Sequence, residues 1–385
     1  MTFTESAERL ALREAVAELA AKYGHEYYLE KARGGGHTSE LWDEAGRLGY
    51  LGVSVPEAYG GGGAGIGELA AVCEEFCAAG TPMLLMVVSP AICATVLARF
   101  GTDEQKARWL PGFATGQVRM SFAITEPDAG SNSHRITTTA RRDGGDWIVN
   151  GRKVFISGVD EADAVLVVGR TSDARTGKLR PALFIVPTDT PGFEYRAIPM
   201  DLVSPDKQFE LVLDDVRLPG DALVGHPDAA IAQLFAGLNP ERIMSAAFSV
   251  GIARYALDKA VNYAKQRSVF DAPIGSHQGI AHPLAEVKIE LELARLMTQK
   301  AAAVYDSGDD VAAGEAANMA KYAGAEVAVR AVDRAVQVHG GNGLASEYGL
   351  GTMLAAVRVG RIAPVSREMI LNYVAQHTLG LPKSY

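Results

Sequence analysis

Several groups of residues in this chain have types and spacings that can do chemistry. In the stretch 121–158 an apolar run ends at Thr125-Glu126-Pro127 and continues through Asp128-Ala129-Gly130-Ser131-Asn132. Thr125, Ser131 and Asn132 offer small hydrogen-bonding groups beside a backbone interrupted by proline and glycine, a mouth that another molecule could approach closely, although the same residues also serve plain turns. Asn239-Pro240-Glu241 sets a carboxylate in an apolar helical pattern, where it is either an ordinary acid at a helix start or a general base. Arg267 begins Arg267-Ser268-Val269-Phe270; its planar fork suits anionic oxygens, and an arginine also favours the carbonyl end of a helix. Gln337 precedes Gly340, Gly341 and Gly343, glycines that let backbone pass close to a ligand or simply stop a helix. His339, at the same helix end, is expected to be structural.

The elements that must position these residues follow from the periodicity. Helices are expected over 5–23, ended near Gly24, over 39–48 with Ser39 as cap, and over 68–79, 84–100 and 103–114. The glycine-rich VPEAYGGGGAGIGEL lacks the strand, fingerprint and distal acid of a dinucleotide-binding unit, so it reads as a structural loop. After residue 118 the period changes to two. Alternation over 137–140 and 147–149, a second turn at Asn150-Gly151 and a run over 153–157 predict consecutive hairpins. Further strands are expected over 164–170, 182–187, 193–198 and 208–213. Long alanine-rich helices then cover 229–265, 278–306, 311–338 and 346–379, the last broken near Pro364. The fold class is therefore α+β, with an N-terminal helical domain (1–118), a middle β-barrel or sandwich domain (119–227) and a C-terminal four-helix bundle (228–385).

A length of 385 residues exceeds the usual single core, and 48% hydrophobic with 22% charged residues is ordinary for a globular protein. The net charge of -9 speaks against nucleic acid or an anionic membrane as partner. No signal peptide or spanning segment is expected, which points to the cytoplasm. Cys73, Cys77 and Cys93 are too few for a disulfide framework, and Cys73 and Cys77, one helix face apart, have no further ligands for a metal; buried free thiols are expected.

TEPDAGSN followed by NGRKVFIS closely resembles the flavin-binding middle domain of the acyl-CoA dehydrogenase family. The resemblance implies FAD, with Phe122, Ile124, Thr125, Ser131, Phe155 and Ser157 lining the flavin, Phe155 standing where the family usually has tryptophan. It also implies that Arg267, Phe270 and Gln278 reach the neighbouring subunit's FAD, that Gln337, Gly340 and Gly341 contact its ADP portion, and that Ser366 and Glu368 belong to the cofactor site. Asp271 replaces the customary glycine. The family's glutamate base near the C-terminus is missing, since the matching positions read Ala363-Pro364-Val365-Ser366. A subset of the isovaleryl-CoA dehydrogenase type carries its base on the first long helix of the last domain, and that motif matches Leu238-Asn239-Pro240-Glu241-Arg242-Ile243. Glu241 is thus the implied catalytic base, with Ser131, Asn239 and Arg242 at the substrate. At a helix amino end its pKa would be lowered, so the site would have to desolvate it.

The implied activity is α,β-dehydrogenation of an acyl-CoA, with proton abstraction by Glu241, hydride transfer to flavin N5, electron-transfer flavoprotein as acceptor and a homotetramer built as a dimer of dimers. Alternatives on the same scaffold are an acyl-carrier-protein thioester dehydrogenase, a flavin-dependent monooxygenase, and a non-catalytic flavoprotein or hetero-oligomer subunit. Proline offers no N–H where the family polarises the thioester carbonyl.

Overall fold

In the computed structural model, residues 5–172, 176–225 and 230–383 are described, with only the helical backbone over 230–235. Ser6 opens α1 (Ala7–Gly34) by accepting the Arg9 N–H at 3.2 Å. The helix's first segment ends at Gly24, as expected: that residue, at φ 71 and ψ 178, is not helical, and a second helical segment follows across the kink and buries His25, Tyr28 and Leu29. In α2 (Ser39–Arg47) Ser39 is the first helical residue rather than the cap, a place taken by Thr38 with no side-chain bond. The glycine-rich loop is packed down: a Cβ on Gly61 would lie 2.1 Å from the Val55 carbonyl. There follow α3 (Ile66–Ala78), α4 (Leu85–Val88), a π-helical turn (Ser89–Ala94) containing Pro90, α5 (Thr95–Phe100) and α6 (Asp103–Thr115).

The strands β1 (Met120–Ala123), β2 (Thr139–Asp143), β3 (Asp146–Ser157), β4 (Ala164–Ser172), β5 (Leu179–Pro187), β6 (Phe193–Ile198) and β7 (Gln208–Leu218) form one seven-stranded sheet. Ala164–Val167 of β4 pairs with β1 and Arg170 with β2, while β5 covers its other side. The edge strands β5 and β6 do not pair, so the sheet curls as a half-barrel rather than closing. Asn150-Gly151 is not a turn. β3 runs through it as a single 12-residue strand, because a Cβ at 151 would sit 2.3 Å from Thr138 Oγ1 and the glycine serves that close approach. Register shifts at Val149/Gly151 and Lys153/Ile156 bend the strand instead.

The last part contains α7 (Ala230–Gln266), a hairpin of β8 (Ser268–Val269) and β9 (Ala272–Pro273), α8 (Gln278–Asp306), α9 (Asp310–His339), α10 (Met353–Ile362) and α11 (Arg367–Tyr373). The final helix begins at Met353 rather than 346, after Gly349 at φ 70, and breaks at the cis Ala363–Pro364 bond. Small residues let α7 touch its neighbours backbone to backbone. A Cβ on Gly251 would meet the Glu74 carbonyl of α3 at 2.4 Å, and one on Gly324 the Ala246 carbonyl at 3.0 Å. Arg13 and Arg254 share Glu74 and Glu75 in a buried cluster that ties α1, α3 and α7 together. Among the described residues no helix is long and apolar enough to cross a membrane.

Candidate active site

Thr125 and Phe155 meet because the chain crosses itself, the Val154 N–H donating to the Thr125 carbonyl at 3.0 Å. Next to the crossing lies the Glu126 carboxylate, 4% exposed. It accepts from the N–H and hydroxyl of Thr137 (2.6 and 2.8 Å), from those of Thr138 (2.9 and 2.6 Å) and from Lys153 Nζ (2.9 Å). Fully buried Lys153 also donates to the Ile124 carbonyl at 3.1 Å. Burial alone would raise the Glu126 carboxyl, but these donors outweigh it and hold it at about 2; burial pushes the Lys153 ammonium down to about 8. The sequence reading missed both residues. The available signal was an acid and a lysine inside the two motifs, each next to or near a residue implied in the flavin site.

Phe155 sits on the second bulge of β3 at φ 58 and is 55% exposed. A phenylalanine rarely adopts that backbone, and a large aromatic rarely faces outward, so the position is held by its surroundings. Phe122 is buried, Ile124 and Thr125 are half-buried and Ser131 is exposed. Ser157 joins them, its carbonyl accepting from the Ser121 hydroxyl at 2.8 Å and its own hydroxyl bonded to Gln208. An exposed aromatic beside hydroxyls and apolar strand side chains fits the flat ring and polar chain of FAD, which Phe122, Ile124, Thr125, Ser131, Phe155 and Ser157 would hold.

Glu241 lies inside α7 and not at a helix start. Pro240 has no N–H for the Ala236 carbonyl, and the Tyr305 hydroxyl of α8 donates to it instead at 3.3 Å, which lets the helix pass through. Asn239 is buried, with Nδ2 on the Asp310 carbonyl (3.1 Å) and Oδ1 accepting from Arg242 Nη1 (3.2 Å), so both ends of its amide are used within the protein. Glu241 itself is half-buried, and among the described residues no hydrogen bond or ion pair holds its carboxylate. Burial lifts that carboxyl to about 7 against the opposing pull of Arg242 and Lys321. The shift is opposite to the one a helix amino end would give. A Cβ on Gly237 of α7 would lie 2.8 Å from Ile92, and the thiol of the next residue, Cys93, is 3.6 Å from the Ser121 carbonyl, so this turn bridges the stretch of α7 that carries Glu241 to the strand that leads into Thr125. Ser366 caps α11 by accepting the Met369 N–H at 3.3 Å, and Glu368 in the first turn is exposed.

The remaining expected cofactor residues gather elsewhere. Phe270 (φ 54) and Asp271 (φ 60) form the left-handed tip of the β8–β9 hairpin, so the turn forms without glycine, and Phe270 is 89% exposed. Arg267, Gln278, Gln337, Gly340 and Gly341 are exposed too. His339 is buried, its Nδ1 on the Ala335 carbonyl at 2.7 Å and its ring stacked on Tyr263, which is a structural role. Position 267 lies 26 residues beyond Glu241 along one helix, roughly 39 Å. One chain therefore carries two separated groups of expected FAD contacts.

Cys73, Cys77 and Cys93 are free and buried. His37, Asp160 and Glu161 come close enough to hold a cation, but Lys207 (3.0 Å) and Arg119 (3.1 Å) already occupy the carboxylates.

Comparison with known proteins supplies the remaining evidence. The chain matches the family models for the acyl-CoA dehydrogenase N-terminal domain over residues 6–117, middle domain over 121–216 and C-terminal domain over 231–379. The acyl-CoA dehydrogenase FadE12 of Mycobacterium tuberculosis (strain ATCC 25618 / H37Rv) is 68% identical over 384 residues, covering 100% of this chain and 99% of that protein. Among solved structures, butyryl-CoA dehydrogenase from Megasphaera elsdenii superposes with a TM-score of 0.91 at 29% identity, covering 98% of this chain and 100% of that one. A glutaryl-CoA dehydrogenase from Mycobacterium smegmatis in complex with FADH2 gives 0.90 at 27% identity, with 99% and 97% covered. The chain belongs to the acyl-CoA dehydrogenase family and is an FAD-dependent oxidoreductase acting on a CoA thioester.

Proposed function

We propose that Glu241 is the base that takes the α-proton of the acyl-CoA, the placement of the isovaleryl-CoA dehydrogenase type. One observation carries this: a half-buried carboxylate with no partner among the described residues lies on the stretch of α7 that packs on the 89–94 turn, whose Cys93 touches the strand of the flavin shelf, and burial lifts it to about 7. A proton acceptor works best with a pKa near the operating pH, and burial supplies that. When bound, FAD supplies the hydride acceptor for the β-hydrogen. Arg242, held by Asn239, keeps a cation next to the acid. Pro364 offers no N–H, so the 363–366 loop does not polarise the thioester carbonyl from that residue. The test is anaerobic flavin reduction by a panel of acyl-CoAs. Glu241→Gln should slow it by about 10²–10⁴-fold, and an unchanged rate would remove Glu241 from the role.

We further propose domain limits at 1–118, 119–227 and 228–385, a cytoplasmic setting in keeping with the buried free thiols, and electron-transfer flavoprotein as electron acceptor. A homotetramer is supported by Ile289, Leu293 and Leu296, exposed at helical spacing on α8, and by the exposed Phe270 hairpin far from its own Glu241. Light scattering on the purified protein tests it, a monomer being the contrary result.

A further inference from the structure

We propose that Lys321 is a positioning residue of the acid–base site, its ammonium holding the 363–366 loop through the Val365 carbonyl and setting a positive charge towards Glu241. This rests on Glu241 as the base. Lys321 lies on α9, is 1% exposed, and donates from Nζ to the Val365 carbonyl at 2.5 Å. Among the described residues it has no carboxylate ion-pair partner. A neutral donor could tether one carbonyl without the cost of burying a charge, so the charge calls for its own reason. The groups whose charges reach Lys321 are Arg242 and Glu241 on α7, Glu326 on α9 and Glu368 on α11. Glu326 is engaged by Arg361 and Arg367, and Glu368 is exposed. Glu241 is the acid that remains, and the packing agrees: a Cβ on Gly314 of α9 would meet the Asn239 amide of α7 at 3.6 Å and one on Gly324 the Ala246 carbonyl at 3.0 Å, so Lys321 and Glu241 lie between the same two contacts of the paired helices. On its other sides Glu241 faces Arg242 and the buried Cys93 thiol, and Tyr373 faces Arg242. The loop cannot be fastened by an amide at Pro364, and Lys321 fastens it at the next carbonyl.

The experiment compares pH profiles of anaerobic flavin reduction in the wild type, K321M and K321R, using the fastest substrate of a butyryl-CoA to palmitoyl-CoA panel. Hydrogen exchange of the 363–370 amides is measured on the same proteins. Loss of the cation in K321M should move the acid limb to higher pH by about one unit and speed exchange in the loop, while K321R keeps the wild-type limb. An unmoved limb in folded K321M would reduce the lysine to a tether and overturn the inference. If K321M does not fold, K321R decides: a wild-type limb supports the proposal and an alkaline shift overturns it. Glu241→Gln run in parallel separates the two ideas, because full activity there removes the base reading, whereas its inactivity beside an unmoved K321M limb removes only the role of Lys321.

Discussion

Replacing Glu126 by glutamine leaves the shape of the flavin turn almost unchanged and takes away its charge. The carboxylate accepts five hydrogen bonds in a site 4% exposed, and its ammonium partner Lys153 would be left with the Ile124 carbonyl alone. Breaking a buried pair from one side costs about 3–5 kcal/mol. An independent route gives a similar size: a carboxyl held at about 2, against an unfolded value of about 4.3, is worth ~3 kcal/mol. Since the folded value is depressed, this stability is complete above pH about 4.3 and is lost as pH falls towards 2. Urea denaturation of the wild type and Glu126→Gln at pH 7 and at pH 3 is the assay. The variant should lose about 3 kcal/mol at pH 7 and show a smaller loss at pH 3. Because burial already depresses Lys153, adding Lys153→Met should return part of the loss. A single variant within 1 kcal/mol of wild type at pH 7, or a gap that does not narrow in acid, would refute the reasoning.

Two further outcomes are expected. Asp271→Gly relieves a side chain held at φ 60 on the hairpin tip and should stabilise the protein by about 0.5–1 kcal/mol in the same urea assay. The Glu241 carboxyl is raised in the fold, so its contribution is present below the unfolded pKa of about 4.3 and is lost as pH rises through about 7. Glu241→Gln should therefore be more stable than wild type above pH 7, with the difference vanishing below pH 4 in thermal scans.

Periodicity and turn chemistry located most elements, because helices such as α8 (Gln278–Asp306) and strands such as β6 (Phe193–Ile198) carry their pattern within themselves. The misreadings share a physical cause, in that a local signal was outvoted by a distant contact. Asn150-Gly151 looked like a turn, but Thr138 needed the space of a missing side chain. Asn239-Pro240 looked like a helix start until Tyr305, 65 residues further on, covered the carbonyl that proline leaves bare. The motif residues around the flavin shelf were legible by resemblance. The Glu126–Lys153 pair and the Lys321 tether were not, since each joins groups 27 and 44 residues apart whose meeting depends on the finished fold.

One rod, α7, bears the acid near its beginning and the arginine arm just past its end, and it is clamped between bare backbones at Gly251 and Gly324. Adding a single residue between them would swing the arm by about 100° around the axis and push it outward by about 1.5 Å, with no soft layer to absorb the change. In the proposed homotetramer the spacing along this segment would be a ruler shared by two active sites, its length as tightly held as the identity of any group it displays.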